Sequence, residues 1–459
     1  MDSILENLRS VLGESGVLEG ERAVEAARSS WSRLGVPRAV LRPCSTAEIS
    51  QVLRLCNEHA QTVVPWGGKT GLVEGANADG QFALSLERMN RIEAIDAAGG
   101  TMTVEAGCVL QTVAEAADAE GLFFPLDLGA RGSATIGGNI STNAGGNRVI
   151  RYGMTREMVL GLEAVLADGT IVTSLNRLLK NNAGYDVKQL FIGTEGTLGI
   201  VTRAVLRLRA KPASHAVALA AADRFDALPR FLRLAERRLG GALSAFEVMW
   251  DDFYRLVTTT PAKGRAPLPH GHSHYVLVEA LGGDEAADLA QFEQLLGEAL
   301  EQGLIADAVV AKSQAERSAI WSLRDDVAQC VRDGPAFTFD VSLPIPEMEN
   351  YVEAVRSGFC ARWPRDARLF VFGHLGDCNL HVIAGVGDRS AGVREAVEDL
   401  VYGALEGRSG SVSAEHGIGL EKRRYLPLSR SPAEIALMRR LKQALDPRNI
   451  LNPGKVFEL

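Results

Sequence analysis

Residues 126–147 read LDLGARGSATIGGNISTNAGGN, a glycine-rich stretch too long to be a simple turn and too regular in its polar content to be a linker. Two shorter glycine segments accompany it, PWGGKTGL at 65–72 and FIGTEGTLGIVT at 191–202. Glycine lets backbone N–H groups come close to an anion, and short hydroxyl and amide side chains add donors without bulk. Ser133, Thr135, Asn139, Ser141, Thr142 and Asn143 supply such groups within the long loop. One glycine loop is explained by a tight turn; three in one region imply a large phosphate-containing cofactor. Two common motifs are absent. Gly68-Lys69-Thr70 resembles the end of a P-loop, but the glycine required five positions earlier is Val63. No GxGxxG follows a first strand, so a nicotinamide-binding Rossmann domain is unsupported.

Around these loops, β-like runs (TVVPWG, FALSL, TMTVEAG, LGLEAVLADGTIV, GIVTRAVLRL) alternate with helical patterns such as TAEISQVLRLCNEHA and VLQTVAEAADAEGL. The alternation indicates an α+β nucleotide-binding domain over 1–210. After Lys211-Pro212, HYVLVEAL, a long helix from Asp284, IADAVVA and QAERSAIWSLRDDVAQCV read as strand, helix, strand, helix. A second α+β domain on an antiparallel sheet is expected over 211–445, with an extended tail over 446–459 after a helix that stops at Asp446-Pro447. At 459 residues, two or three domains are expected. The formal charge of −8 argues against nucleic acid as a partner, and no apolar run reaches the roughly 18 residues that span a bilayer. Six cysteines without a CxxC pair, and a polar start, MDSILENLRSVLGESG, suggest a reducing, cytoplasmic setting.

The octet His374-Leu-Gly-Asp-Cys-Asn-Leu-His381 carries the second chemical signal. LFVF precedes it and NLHVIAG includes its end, so the local reading is strand, Gly-Asp turn, strand. On one straight strand the two histidines would face opposite ways. A hairpin turning about Gly376-Asp377 sets Phe372 opposite His381 and His374 opposite Asn379, and both imidazoles then share a face. Glu415-His416, inside SVSAEHGIG, adds a carboxylate and a further imidazole. Two imidazoles and one carboxylate suit zinc with an open position, and manganese, cobalt and iron are alternatives. Cys378 opposes Leu375 on the other face. His270, His272 and His274 alternate within TTTPAKGRAPLPHGHSH and read as solvated loop residues.

The glycine loops, HLGDCNLH, SAEHGIG and DPRNILNPGK together resemble the FAD-linked oxidoreductases of the vanillyl-alcohol oxidase and p-cresol methylhydroxylase superfamily, in particular its D-2-hydroxyacid dehydrogenase branch. The resemblance runs from about residue 36 to 457. It implies a two-lobed FAD-binding domain of the p-cresol methylhydroxylase type followed by an α+β substrate domain. It also implies that Gly67, Gly68, Lys69, Thr70, Gly71 and Leu72 wrap the pyrophosphate. Pro125, Asp127, Ser133, Thr135, Gly137, Gly138, Asn139, Thr142, Ala144 and Gly145 would run along the flavin and ribityl chain. Glu195, Gly196, Gly199, Ile200 and Val201 would lie near the adenine, and Asn452 would return to the flavin. Some relatives attach FAD through a histidine in the first glycine loop; none lies between His59 and His215, so noncovalent FAD is expected.

By the same resemblance, His374, His381 and Glu415 are metal ligands, with zinc the ion expected from the donor set, His416 is the base that takes the hydroxyl proton, and Arg324 in WSLRDD grips the substrate carboxylate. The implied reaction is oxidation of a small D-2-hydroxy acid to the 2-oxo acid, with electrons passing to a quinone, a cytochrome or an electron-transferring flavoprotein. An oxygen-reducing oxidase and the flavin subunit of a glycolate oxidase-like complex are the alternatives, and a homodimer is a candidate assembly. Where the hydroxyglutarate pattern of the branch has a lysine, a threonine and an asparagine, this chain has Thr338, Ala328 and Ile383. The loss of those polar partners favours a smaller or more apolar acid such as D-lactate.

Overall fold

The computed structural model describes residues 3–262 and 264–459, which form two compact units. The first comprises 1–146, 153–211 and 415–459, and the second 147–152 and 212–414. Sequence texture alone places the return of the chain at 446; in the structure it comes at Glu415. The helix Pro432–Leu445 belongs to the first unit because its buried Lys442 donates to the carbonyls of Thr197 and Leu451 and pairs with Asp446.

The first unit carries two main sheets. Strands β1 (Val17–Leu18), β2 (Ala39–Leu41), β3 (Val63–Trp66) and β4 (Phe82–Ser85) lie in the order β1-β2-β4-β3, with β2, β4 and β3 parallel. The helix Thr46–Glu58 is capped by the Ser45 side chain, which accepts from Glu48 N–H. It buries Ile49, Val52, Leu53 and Cys56 at helical spacing. The second sheet is antiparallel and joins β5 (Ile92–Asp96), β6 (Thr101–Glu105), β8 (Val159–Val165), β9 (Ile171–Ser174) and β10 (Ile200–Arg207) in the order β5-β6-β10-β8-β9. A short ribbon pairs β7 (Leu122–Phe123) with β11 (Arg209–Ala210). The C-terminal tail closes on β3: Val63 N–H donates to Ile450, and Asn452 N–H donates back to Val63.

The second unit is built on one antiparallel sheet of seven strands, β12 (Ser214–Ala222), β13 (Leu243–Trp250), β14 (His274–Gly282), β15 (Asp307–Val310), β16 (Phe337–Ser342), β17 (Arg368–His374) and β18 (Asn379–Gly385), in the order β15-β12-β14-β13-β17-β18-β16. The helices Ala227–Leu239 and Glu285–Glu301 pack with their buried Phe231, Leu232, Phe292 and Leu295 against this sheet, Phe231 lying edge-on to Phe246 of β13. The opposite face packs Met249, Tyr275, Leu277, Phe372 and Ile383 with Phe253 and Val257 of the helix Asp251–Thr258 and with Ile320 and Leu323 of Gln314–Asp325. Both faces are therefore covered, which leaves no alternation of apolar and polar residues along the central strands.

Candidate active site

The register of the seven-stranded sheet sets a row of polar groups on its Met249 face. β17 pairs with β18 so that Phe372 faces His381 and His374 faces Asn379, the pairing that the octet implies. The turn is a short 3-10 segment, Leu375–Asp377, closed by Cys378 at φ +69. One strand over on either side, Glu247 of β13 stands opposite His374 and Asp340 of β16 opposite His381. The candidate ligand nitrogens of His374 and His381 lie within 4.8 Å of one another, and their ring centroids are 5.2 Å apart. Both histidines are buried, as is Asn379, whose side-chain amide has no hydrogen-bond partner.

Two buried carboxylates organise this face. Glu247 receives His374 Nδ1 at 2.8 Å through one oxygen and Arg324 Nε at 2.8 Å through the other, while Arg324 Nη2 lies 2.9 Å from His374 Nε2. Burial pushes the Glu247 carboxyl up, but His374 and Arg324 outweigh it and hold it below the ordinary carboxylate range. Farther along the sheet, Glu279 accepts from Arg148 Nε at 2.9 Å, His215 Nε2 at 2.8 Å, Ser244 Oγ at 2.7 Å and Trp321 Nε1 at 3.1 Å. Burial again opposes ionisation there, and the cations prevail. Trp321 and Arg324, one turn apart on the same helix, thus reach the two acids from a single helix face. Asp340 accepts from Ala414 N–H at 3.0 Å and Ser413 Oγ at 3.3 Å, and Glu415 is the next residue in the chain.

In the first unit, the glycines of the sequence serve close loop-to-loop approach. A Cβ on Gly68 would lie 2.0 Å from the Ser133 carbonyl, and one on Gly146 would meet the Asp127 carbonyl at 2.0 Å. The loops 65–72 and 126–147 are therefore in direct backbone contact. Lys69 turns its ammonium to the Ala26 carbonyl at 2.8 Å, and Asp127 pairs with Arg131. Thr142 Oγ1 donates back to Gly138, and Ala144 O accepts from Thr155. Gly137 and Asn139 are buried within Ile136–Thr142, while Gly145 is buried just beyond it and Pro125 lies ahead of the loop. Gly196 packs on Pro65, Gly199 on Phe191, and Ile200 and Val201 open β10. The side-chain amide of Asn452 donates to the carbonyls of Glu195 and Gly75.

Glu195 turns its carboxylate to the N–H groups of Ile418 and Gly419, at 2.7 and 2.9 Å, and burial raises its pKa against those bonds. Gly417, at φ +85, has Glu195 Oε1 2.7 Å from where a Cβ would be, so the chain around His416 wraps this carboxylate. Glu415 Oε1 accepts from Gly146 N–H at 2.8 Å.

A bound FAD meets suitable groups. Thr135 Oγ1, Asn139 Nδ2 and Asn452 Oδ1 are buried without partners, on the loop and tail segments that the family resemblance assigns to the cofactor. Unpartnered buried polar atoms are costly unless a ligand completes them. The His374–His381 pair, with the unpartnered Asn379 amide beside it, likewise fits a divalent ion by donor type.

One histidine of the 270–274 series differs from its solvated reading. His272 pairs with Asp223 at 2.8 Å and His270 with Thr258, but His274 starts β14 and is 3% exposed. Its ring lies edge-on to Trp250 and Phe225, with neither nitrogen hydrogen-bonded. The acids Glu247, Glu279 and Asp340 were not singled out by sequence; each is the lone charged residue within SAFEVMW, VLVEALG or FTFDVS.

The architecture is that of the p-cresol methylhydroxylase type: a p-cresol methylhydroxylase with bound substrate superposes with TM-score 0.81 at 17% identity, over 100% of this chain and 97% of that one. Residues 37–174 match the family described as "FAD binding domain", and 211–456 match "FAD linked oxidases, C-terminal domain". The chain is 41% identical over 454 residues to a probable D-2-hydroxyglutarate dehydrogenase, mitochondrial, of Oryza sativa subsp. indica, covering 98% of this chain and 80% of that relative. It is 42% identical to a D-2-hydroxyglutarate dehydrogenase of Xanthomonas citri pv. viticola, over 93% and 91% of the two chains. The chain belongs to the FAD-linked oxidase family and is an FAD-linked oxidoreductase. The cytoplasmic expectation is corrected by these relatives: the rice protein is mitochondrial by name. Cysteine spacing and net charge report redox setting and solubility, not an address. Among the described residues no helix is long and apolar enough to cross a membrane.

Proposed function

We propose that the chain oxidises a D-2-hydroxy acid to the 2-oxo acid, with His374, His381 and Glu415 holding a divalent ion, zinc by donor type, and His416 accepting the hydroxyl proton. The observation that carries this reading is the pair of buried imidazoles on one hairpin face, their ligand atoms within 4.8 Å and each opposed by a buried acid. Relatives named for a 2-hydroxy acid support the substrate class. A bound divalent ion supplies Lewis acidity to the hydroxyl and carboxylate oxygens, and bound FAD supplies the hydride acceptor. The rest falls to side chains. Arg324, beside His374, offers a guanidinium for the substrate carboxylate. His416 removes the proton from the hydroxyl as the C2 hydride departs. Gly67–Leu72, Pro125, Asp127, Ser133, Thr135, Gly137–Asn139, Thr142, Ala144, Gly145, Glu195, Gly196, Gly199–Val201 and Asn452 hold FAD without a covalent bond. Electrons leave to a quinone, cytochrome or electron-transferring flavoprotein.

The size of the acid has two supports that diverge. The relatives' names favour a five-carbon diacid. Against it, Thr338 continues the His381 face beyond Asp340 as an exposed threonine, and the Ile383 opposite it is packed into the core. No cation stands at either position, which favours D-lactate. Anaerobic addition of D-lactate, D-2-hydroxyglutarate and their L-enantiomers, followed by the visible flavin absorbance, tests both points. Bleaching by one D-acid is expected; bleaching by none sinks the proposal.

A further inference from the structure

The two acids that face the hairpin from neighbouring strands have no part in the chemistry proposed above, yet each is fully enclosed, Glu247 at 1% and Asp340 at 0% exposure. A strand interior folds at least as well with apolar residues of similar size, because burying a carboxylate costs desolvation that its partners only repay. Their placement follows the register: Glu247 opposite His374, Asp340 opposite His381. We infer that Glu247 and Asp340 are positioning residues, Glu247 fixing the ring and tautomer of His374 and Asp340 fixing the segment that delivers Glu415. The inference rests on the metal reading of the preceding section.

Glu247 acts through proton placement. A carboxylate only accepts, so with Oε1 at 2.8 Å from Nδ1 the His374 proton sits on Nδ1 and Nε2 is left as the acceptor, facing Arg324 Nη2 at 2.9 Å, which a bound ion would displace from it. This is the carboxylate–histidine pairing that orients a metal-binding imidazole. Oε2 is held by Arg324 Nε, so the carboxylate cannot rotate away. Asp340 acts through the backbone. It receives Ala414 N–H and Ser413 Oγ, while Ser342 at the end of the same strand exchanges two backbone bonds with Ser411, at 3.0 and 2.7 Å. Residues 411–414 are thereby laid along β16, and the chain enters Glu415 from a fixed point.

The substitution Glu247→Gln separates proton placement from packing. Arg324 demands an acceptor, so the amide oxygen goes to the guanidinium and the amide N–H faces Nδ1. The imidazole proton is then driven to Nε2, the ligand atom. Glu247→Asp keeps an acceptor and partly restores the wild-type arrangement. Asp340→Ala frees Ser413 and Ala414. The test uses the full chain loaded with FAD, stripped of metal, and titrated calorimetrically with Zn2+ alone. Glu247→Gln and Asp340→Ala are each expected to weaken Zn2+ binding by about 10–100-fold at unchanged FAD content, with Glu247→Asp in between. Because the two acids are probed separately, a folding failure in one leaves the other to decide. Wild-type affinity in a folded Glu247→Gln or Asp340→Ala overturns the inference. If the wild type binds no Zn2+, or His381→Ala binds it normally, the metal reading itself falls and this inference with it.

Discussion

His274 offers a test in which the magnitude can be worked from the structure. Its imidazole is enclosed by Phe225 and Trp250, with both nitrogens unpartnered, and burial lowers its pKa to about 4 from 6.5. The unfolded chain therefore takes up a proton there below about pH 6.5 while the folded chain stays neutral until about pH 4. Stability from this group is intact above the unfolded value and is lost progressively as pH falls between the two. At about 1.4 kcal/mol per pH unit, the loss between pH 7.5 and pH 5 is roughly 2 kcal/mol. His274→Phe keeps an aromatic ring edge-on to its neighbours, removes two unpartnered nitrogens and removes the titration. Urea unfolding of both proteins across that range is the assay, followed by fluorescence. The variant is expected to lose about 2 kcal/mol less than the wild type over the interval. Parallel losses in the two proteins would refute the reasoning.

Other perturbations address the rest of the molecule. Glu279→Ala removes the buried carboxylate to which Arg148, Ser244 Oγ and Trp321 Nε1 donate; it should cost about 3–5 kcal/mol in denaturant unfolding. Because the Glu279 carboxyl titrates below its ordinary range, its contribution is present above the usual carboxylate pKa and fades as acid brings the pH down through the folded value, so Glu279→Gln should flatten the acid limb of a stability–pH curve. Asp446→Ala leaves the Lys442 ammonium buried and unpaired and removes the acceptor for the Ile450 and Leu451 N–H groups. A loss of about 3–5 kcal/mol is expected, together with weaker FAD retention on dialysis, since Asn452 follows directly. His416→Ala should retain FAD in its absorbance spectrum but show no flavin reduction by the D-hydroxy acid in a stopped-flow trace; normal turnover would remove His416 from the role of base.

The hairpin was legible because a two-residue period and a Gly-Asp turn leave only one symmetric pairing for His374 and His381, and that pairing is observed. The three glycine loops could be recognised for a similar reason: glycine is needed where backbones nearly touch, as at Gly68 and Gly146. Glu247 and Glu279 escaped because a strand covered on both faces shows no alternation, so a buried acid looks the same as a solvent-facing one; Asp340 escaped because FTFDVS alternates strictly and groups it with the exposed Thr338. The lone acid inside SAFEVMW or FTFDVS was the available signal. His274 was misread for the converse reason: the polar Pro/Gly-rich loop before it hides the point where β14 begins. Neither the pairing of Arg148 with Glu279 nor the return of the chain at Glu415 has any local signature, since both join residues far apart in sequence.

The most direct measurement is anaerobic stopped-flow reduction of the bound flavin by D- and L-enantiomers of the hydroxy acid, before and after metal removal and after Zn2+ is restored. The account predicts rapid bleaching by the D-acid alone, its loss on chelation and its return with the ion. Bleaching that ignores chelation, or equal rates with both enantiomers, would contradict it.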